Sequence, residues 1–221
     1  VKKQFSDVPV FFTAVTDPVQ SGIIENAKTP GVNISGTSDI NPVESQVALI
    51  KEINPSATKI GFLYTTGETN SEIQLRMAEA ECLKLGVEVV ARSATNSTDV
   101  QQVLESLISS GIDALYIPTD NDIASQMAMV SQKCNEKGII TICGETGLIQ
   151  DGGTITIGSV DYVVLGSMTG KMGADALNGA DVTKMAVQYF SGTDLIANKA
   201  KIAEFGLAIP TELLNKAKDI K

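Results

Sequence analysis

The chain has 221 residues, enough for one large domain or two small ones with a substantial core. With 17 Lys and Arg against 26 Asp and Glu, its formal net charge is −9, and no basic stripe is present to neutralise nucleic-acid phosphates. Histidine is absent, which excludes Ser-His and Cys-His nucleophile pairs, imidazole bases and His-type zinc sites, and no stretch approaches the roughly 20 apolar residues of a membrane span.

Val8–Val15 (VPVFFTAV) reads as a fully buried strand, ended by Thr16-Asp17-Pro18, where the proline disfavours helix at Asp17. Gly31–Asp39 contains NISGTSD, whose Gly and Ser suit a crossing segment rather than a core strand. From Pro42, the stripe Val43, Val47, Ile50 and Ile53 predicts a helix closed by Asn54-Pro55. An α/β alternation follows. Strand 59–65 leads to a helix from about Ser71 to Leu85, stopped by Gly86, and then to strand 87–93. The next helix opens at Ser97-Thr98, where Thr98 and Gln101 fit a capping box, and carries Val100, Val103, Leu104, Leu107 and Ile108 on one face.

Strand 114–118 is followed by a helix from Asp122 with Ile123, Met127, Val130 and Cys134 on one face. Strand 139–143, a loop, the Asp151-Gly152-Gly153 turn and strand 154–158 complete an open, mostly parallel sheet. Tyr162–Leu177 reads as a helix whose Gly166, Gly170 and Gly173 imply close approach to another backbone. Val187–Phe190 is a further strand, Asp194–Glu204 a helix stopped by Gly206, and Pro210-Thr211 starts a last short helix. Cys82, Cys134 and Cys143 show no CxxC spacing and read as small buried hydrophobes, although spacing does not settle a disulfide.

In a parallel sheet, ligands sit beyond the carboxyl ends of the strands, where helix N-termini present free N–H groups. The candidate binding residues therefore lie there. Thr16 and Asp17 end the first strand, and either a capped turn or a ligand contact would explain them. Thr65, Asn70 and Ser71 follow strand 59–65 and supply more hydroxyls and amides than one helix cap requires. They suit a carboxylate or phosphate, although no GxxxxGK[ST] loop is present. Asp120 and Asn121 follow strand 114–118; with Asp122 the spacing is too short for a calcium loop, so a cap turned toward ligand is the better reading. Glu145 follows strand 139–143, and Asp161 and Tyr162 follow strand 154–158; such carboxylates could hold an ammonium group. No cofactor, metal or catalytic group is expected.

The segments VPVFFTAVTDPV, LYTTGETNSEIQ, YIPTDNDIA, GSVDYVVLGSMTGKMGADALNG and NKAKIAEFGLAIPTELL resemble the substrate-binding proteins of an ABC importer family, some of which bind tryptophan or other aromatic amino acids. The resemblance runs through nearly the whole chain. It implies a type I periplasmic-binding-protein fold: two doubly wound α/β lobes joined by a three-strand hinge and closing on ligand. It places the family's motifs on Thr16-Asp17-Pro18, Asn70-Ser71, Thr119-Asp120-Asn121 and Asp161-Tyr162. It further implies an extracytoplasmic protein that serves a membrane permease, with Ser71 toward the ligand carboxylate and Asp161 or Asp120 toward its amine. Family members carry a secretory or lipoprotein signal and opening strands ahead of the TAVTDP segment that this sequence does not contain. The expectation is a truncated first lobe, built from residues 1–41 and 160–181, beside a lobe of 42–159 and 182–221, with any lipid anchor outside this chain. A ligand-binding domain of a transcription regulator or sensor, or a binding protein for a sugar or nucleoside, shares the fold and stays open as an alternative.

Overall fold

The computed structural model describes residues 8–158, 160–190 and 192–220. In chain order, β1 (Val10–Phe12) and β2 (Ile34–Ser38) precede α1 (Val43–Ile53), β3 (Lys59–Thr65), α2 (Thr69–Leu85), β4 (Glu88–Ala94), α3 (Val100–Ser109) and β5 (Ala114–Ile117). Then come α4 (Asn121–Ser125), α5 (Met127–Glu136), β6 (Ile140–Cys143), α6 (Thr146–Gln150), β7 (Ile155–Ile157) and α7 (Tyr162–Leu177). A 3-10 turn at Val182–Lys184, β8 (Gln188–Tyr189), β9 (Leu195–Ala197), α8 (Lys199–Phe205), α9 (Thr211–Lys216) and β10 (Lys218–Asp219) complete the fold. These elements form two compact units, one of Val1–Asn41 with Val160–Gly192 and one of Pro42–Ser159 with Thr193–Lys221.

The second unit is organised by strand alternation. Its seven-stranded sheet has the order β10-β9-β7-β6-β5-β3-β4, parallel throughout except for the antiparallel β7–β9 pair. Successive side chains point to opposite faces. Phe62, Tyr116 and Ile142 therefore meet Val43, Val47 and Ile50 of α1 and Ala78 and Cys82 of α2 on one face. Leu63, Leu115, Ile117 and Cys143 meet Leu104 and Leu107 of α3 and Val130 and Cys134 of α5 on the other. Full burial of each such side chain contributes about 1.5–3 kcal/mol. One polar group is built into the first face. The Tyr116 hydroxyl donates to Gln46 Oε1 at 2.7 Å, and Gln46 Nε2 donates to the carbonyls of Ile157 at 2.7 Å and Gly144 at 3.1 Å, tying α1 to the carboxyl ends of β6 and β7. All three cysteines are buried and free, with burial pushing the Cys82 thiol up to about 11 and Cys134 up to about 12.

Several elements differ from the sequence reading. The helix expected from Asp122 is interrupted at Gln126, giving α4 and α5. The segment after Gly144, read as a loop, contains the short helix α6. Residues 195–197, read as helix, pair instead with β7, and the helix begins after Asn198, whose side chain accepts from Lys201 N at 3.0 Å. Thr98 and Gln101 do not form a capping box: Thr98 Oγ1 turns to Asn96 and Gln101 Nε2 donates to Glu105. Helix α2 starts two residues earlier than expected, with Glu68 at its N-cap and no side chain capping it.

The first unit holds a parallel three-stranded sheet in the order β1-β2-β8, backed by α7. Its central strand is β2, the segment expected to be a crossing, and all five of its residues are buried. The small residues serve packing. At Gly36 an added Cβ would collide with the carbonyl and ring of Phe12, its partner on β1, so only glycine lets the two strands meet. The hydroxyls find distant partners: Ser35 Oγ donates to Met185 O at 2.8 Å, Ser38 Oγ to Thr16 O at 2.8 Å, and Thr37 Oγ1 lies 2.7 Å from Thr169 Oγ1 on α7. Strand β1 is shorter than expected and only half-buried, because it stands at the sheet edge and the chain turns out at Ala14, whose φ is +54°. The α7 glycines meet no neighbouring backbone among the described residues: a Cβ at Gly166 or Gly170 would have open space, and one at Gly173 would touch only the Phe11 ring.

Candidate functional site

Parallel strands bring polar residues together at their carboxyl ends, and each unit gathers one such cluster around a buried aspartate. In the second unit this is Asp120, which follows β5 and caps α4. Its Oδ2 accepts from Thr65 N at 2.7 Å and Ser71 Oγ at 2.8 Å, and its Oδ1 accepts from Thr65 Oγ1 at 2.8 Å and Ile123 N at 3.0 Å. The side chain is only 2 % exposed. Four donors fill both oxygens, so the carboxylate ties the end of β3 to the starts of α2 and α4. Asn70 and Asn121 join the same cluster. Asn70 Nδ2 donates to Thr119 O at 2.6 Å and to Glu68 Oε2 at 3.0 Å, and the backbone N–H of Asn121 donates to Glu68 Oε1 at 3.2 Å. The structure thus brings Thr65, Asn70, Ser71, Asp120 and Asn121 together. Close packing holds them: Gly144 N donates to Ile117 O at 2.7 Å, and a Cβ on Gly144 would press on the Pro118–Thr119 backbone at about 3 Å.

The first unit builds its cluster around Asp39, which the sequence reading did not single out. Asp39 follows β2 and is 5 % exposed. Thr16, after β1, donates its hydroxyl to Asp39 Oδ1 at 3.4 Å; the Tyr162 hydroxyl at the start of α7 and the Asp39 backbone N–H also hydrogen-bond to the carboxylate. No Lys or Arg forms an ion pair with Asp39 among the described residues. Burial raises its carboxyl above the ordinary range, and these hydrogen bonds offset only part of the shift. Beside it, Asn41 is 4 % exposed and donates Nδ2 to Asp39 O at 3.3 Å; its buried Oδ1 has no partner among the described residues. Two of the expected residues, Thr16 and Tyr162, therefore converge on a third. The signal was available: had NISGTSD been read as the central strand, the strand-end rule would have pointed to Asp39 as it did to Asp120.

The other expected residues stand as follows. Asp17 Oδ1 closes the turn after β1 by accepting from Val19 N and Gln20 N, both at 2.9 Å. Asp161 is exposed and caps α7, accepting from Val163 N at 2.9 Å and Val164 N at 3.0 Å. Glu145 is half-buried between β6 and α6, and its side chain does not cap that helix. A recess of about 550 Å³ in the second unit, lined by residues including Ser131, Asn135, Asp151, Asn198 and Lys201, lies at the amino ends of β6 and β7, away from the strand ends considered above. No group of three or more Cys, Asp or Glu is placed to hold a metal ion among the described residues. None of their helices is long and apolar enough to cross a membrane.

Comparison with known proteins agrees with this architecture. The family described as ABC transporter substrate binding protein matches residues 1–221. A tyrosine-binding protein of Clostridioides difficile is 38 % identical over 193 residues, which is 87 % of this chain; the chain spans about half of that relative's length, 55 %. An ABC domain from Streptococcus pneumoniae, solved in complex with L-Trp, superposes with a TM-score of 0.88 at 31 % identity, covering 99 % of this chain and 74 % of that one. A ligand-free, open substrate-binding protein with adhesive properties from Clostridium difficile gives 0.75 at 36 % identity, with 99 % and 73 % covered. The α/β fold with its two units is therefore of the two-lobed type I periplasmic-binding-protein class. On this evidence the chain belongs to the ABC transporter substrate-binding protein family.

Proposed function

We propose that this chain binds an aromatic or hydrophobic amino acid as the solute-binding component of an ABC importer and presents it to a membrane permease. The observation that carries the reading is the likeness, over 99 % of the chain and at 31 % identity, to a protein solved with L-Trp, supported by the 38 % identity to a tyrosine-binding protein. The local chemistry agrees. An amino acid needs donors for its carboxylate and acceptors for its ammonium group, and the strand ends supply both kinds. Helix α2 begins without a side-chain cap, leaving the N–H groups of Thr69, Asn70 and Ser71 at its positive end to meet a carboxylate. Thr16, after β1, and Glu145, after β6, are proposed as further ligand contacts.

A thermal-shift screen of the twenty amino acids on the full-length protein tests this reading. A ligand bound only by the folded state stabilises it by mass action, about 2.7 kcal/mol at a concentration one hundred times Kd. Aromatic amino acids should raise the midpoint most. No shift with any amino acid would overturn the reading.

A further inference from the structure

The Asp39 cluster has a chemistry of its own. A buried carboxylate without a cationic partner is unfavourable, and folded proteins rarely retain one that serves no purpose. Among the described residues the carboxylate of Asp39 meets only neutral donors: the hydroxyls of Thr16 and Tyr162 and its own backbone N–H. The Thr16 bond is long, at 3.4 Å. Two residues on, Asn41 holds a second unsatisfied acceptor. Its amide is oriented by the Nδ2 bond to Asp39 O, which leaves Oδ1 buried and without a partner among the described residues. A hydroxyl that donates to Asp39 still carries lone pairs, so Thr16 Oγ1 is a third acceptor.

A group that satisfies such a set must bring several N–H bonds, no lone pair and a positive charge. A primary ammonium does all three. A carboxylate or phosphate would meet a like charge, and a metal ion would lack a second carboxylate or thiolate in this cluster. Resting on the amino-acid reading above, we propose that Asp39, with Thr16 and Asn41, forms the subsite for the ligand's ammonium group, the Tyr162 hydroxyl occupying that place when no ligand is bound. Tyr162 suits this exchange, because it is 48 % exposed at the first position of α7 and can turn outward without disturbing the core. Asp120 does not suit the role, since its four internal bonds leave no free lone-pair site for an ammonium.

Titration calorimetry on the full-length protein distinguishes the alternatives, using L-tyrosine, L-tryptophan and the amine-free analogues 3-(4-hydroxyphenyl)propionate and indole-3-propionate. The wild type should prefer the amino acids over the amine-free acids. Asp39→Asn, nearly isosteric and still able to accept from Thr16, should weaken the amino acids by more than about tenfold and the amine-free acids little, erasing that preference. Thermal unfolding verifies that the variant is folded, and Asp39→Ser supplies the same comparison should the amide not fold. A folded Asp39 variant that keeps the wild-type preference for the amine overturns the assignment while leaving the amino-acid reading intact. A wild type that binds neither amino acid overturns both.

Discussion

Two aspartates, Asp39 and Asp120, occupy comparable places: each follows an interior strand of its own sheet, each is buried, and each meets hydroxyls from a neighbouring strand end and a helix start. Their bonding differs. Asp120 receives two backbone N–H groups and two hydroxyls at 2.7–3.0 Å, and its charge stabilises the local fold. Among the described residues Asp39 meets no cation, only a long Thr16 hydroxyl bond, the Tyr162 hydroxyl and its own N–H, with an unpaired amide oxygen beside it, and burial raises its carboxyl. Position in an α/β sheet nominates residues for ligand binding, and the count of internal bonds decides which are free to take part. A saturated carboxylate builds the scaffold. An undersatisfied one is available to a ligand, at a cost to the stability of the empty protein.

The contrast can be broken by substitution. Asp120→Ala leaves two buried N–H groups and two hydroxyls without their acceptor, and should destabilise the protein by roughly 3–5 kcal/mol in urea unfolding. A loss below about 1 kcal/mol would show that the network is not structural. Asp39→Asn should act in the opposite direction, raising stability at neutral pH by on the order of 1 kcal/mol. The sign follows from linkage. A carboxyl raised in the folded state contributes stability below its unfolded pKa, and that contribution is lost as pH rises through the folded value. The advantage of Asp39→Asn should therefore shrink as pH falls through the carboxylate range, read as the difference in Tm between variant and wild type. A difference that is constant with pH would remove ionisation as its cause. The smallest effect is expected at the third aspartate: Asp161→Ala removes the cap of α7 and should cost about 1 kcal/mol, with ligand affinity little changed. A large loss of affinity with unchanged Tm would instead make Asp161 a ligand contact.

Much of the second unit was legible because its strands are continuous apolar runs bounded by turns. β3, β5 and β6 fall within a residue of their expected positions, and the stripe of α1 packs as the periodicity requires. The first unit was harder to read for a physical reason. β2 is Ile-Ser-Gly-Thr-Ser, and its hydroxyls are buried only because Met185, Thr16 and Thr169 answer them from distant parts of the chain. Local pattern cannot reveal partners up to 150 residues away. Demoting that strand also hid Asp39 at its end. Conversely, Asp120 and Ser71 were found at the right strand ends, yet nothing in the sequence shows that they bond each other across 49 residues. The error at 195–197 has the same origin. Leu-Ile-Ala satisfies a helix or a strand equally well, and its pairing with β7 decides the matter.

The most direct test of the account is a crystal structure of the full-length protein with L-tyrosine bound. The account predicts the ligand nitrogen within hydrogen-bond distance, about 3 Å, of an Asp39 carboxylate oxygen, with the Tyr162 hydroxyl displaced and the bonds of Asp120 unchanged. An ammonium held instead by Asp120, Asp161 or Glu145, with Asp39 still bonded to Tyr162, would contradict it.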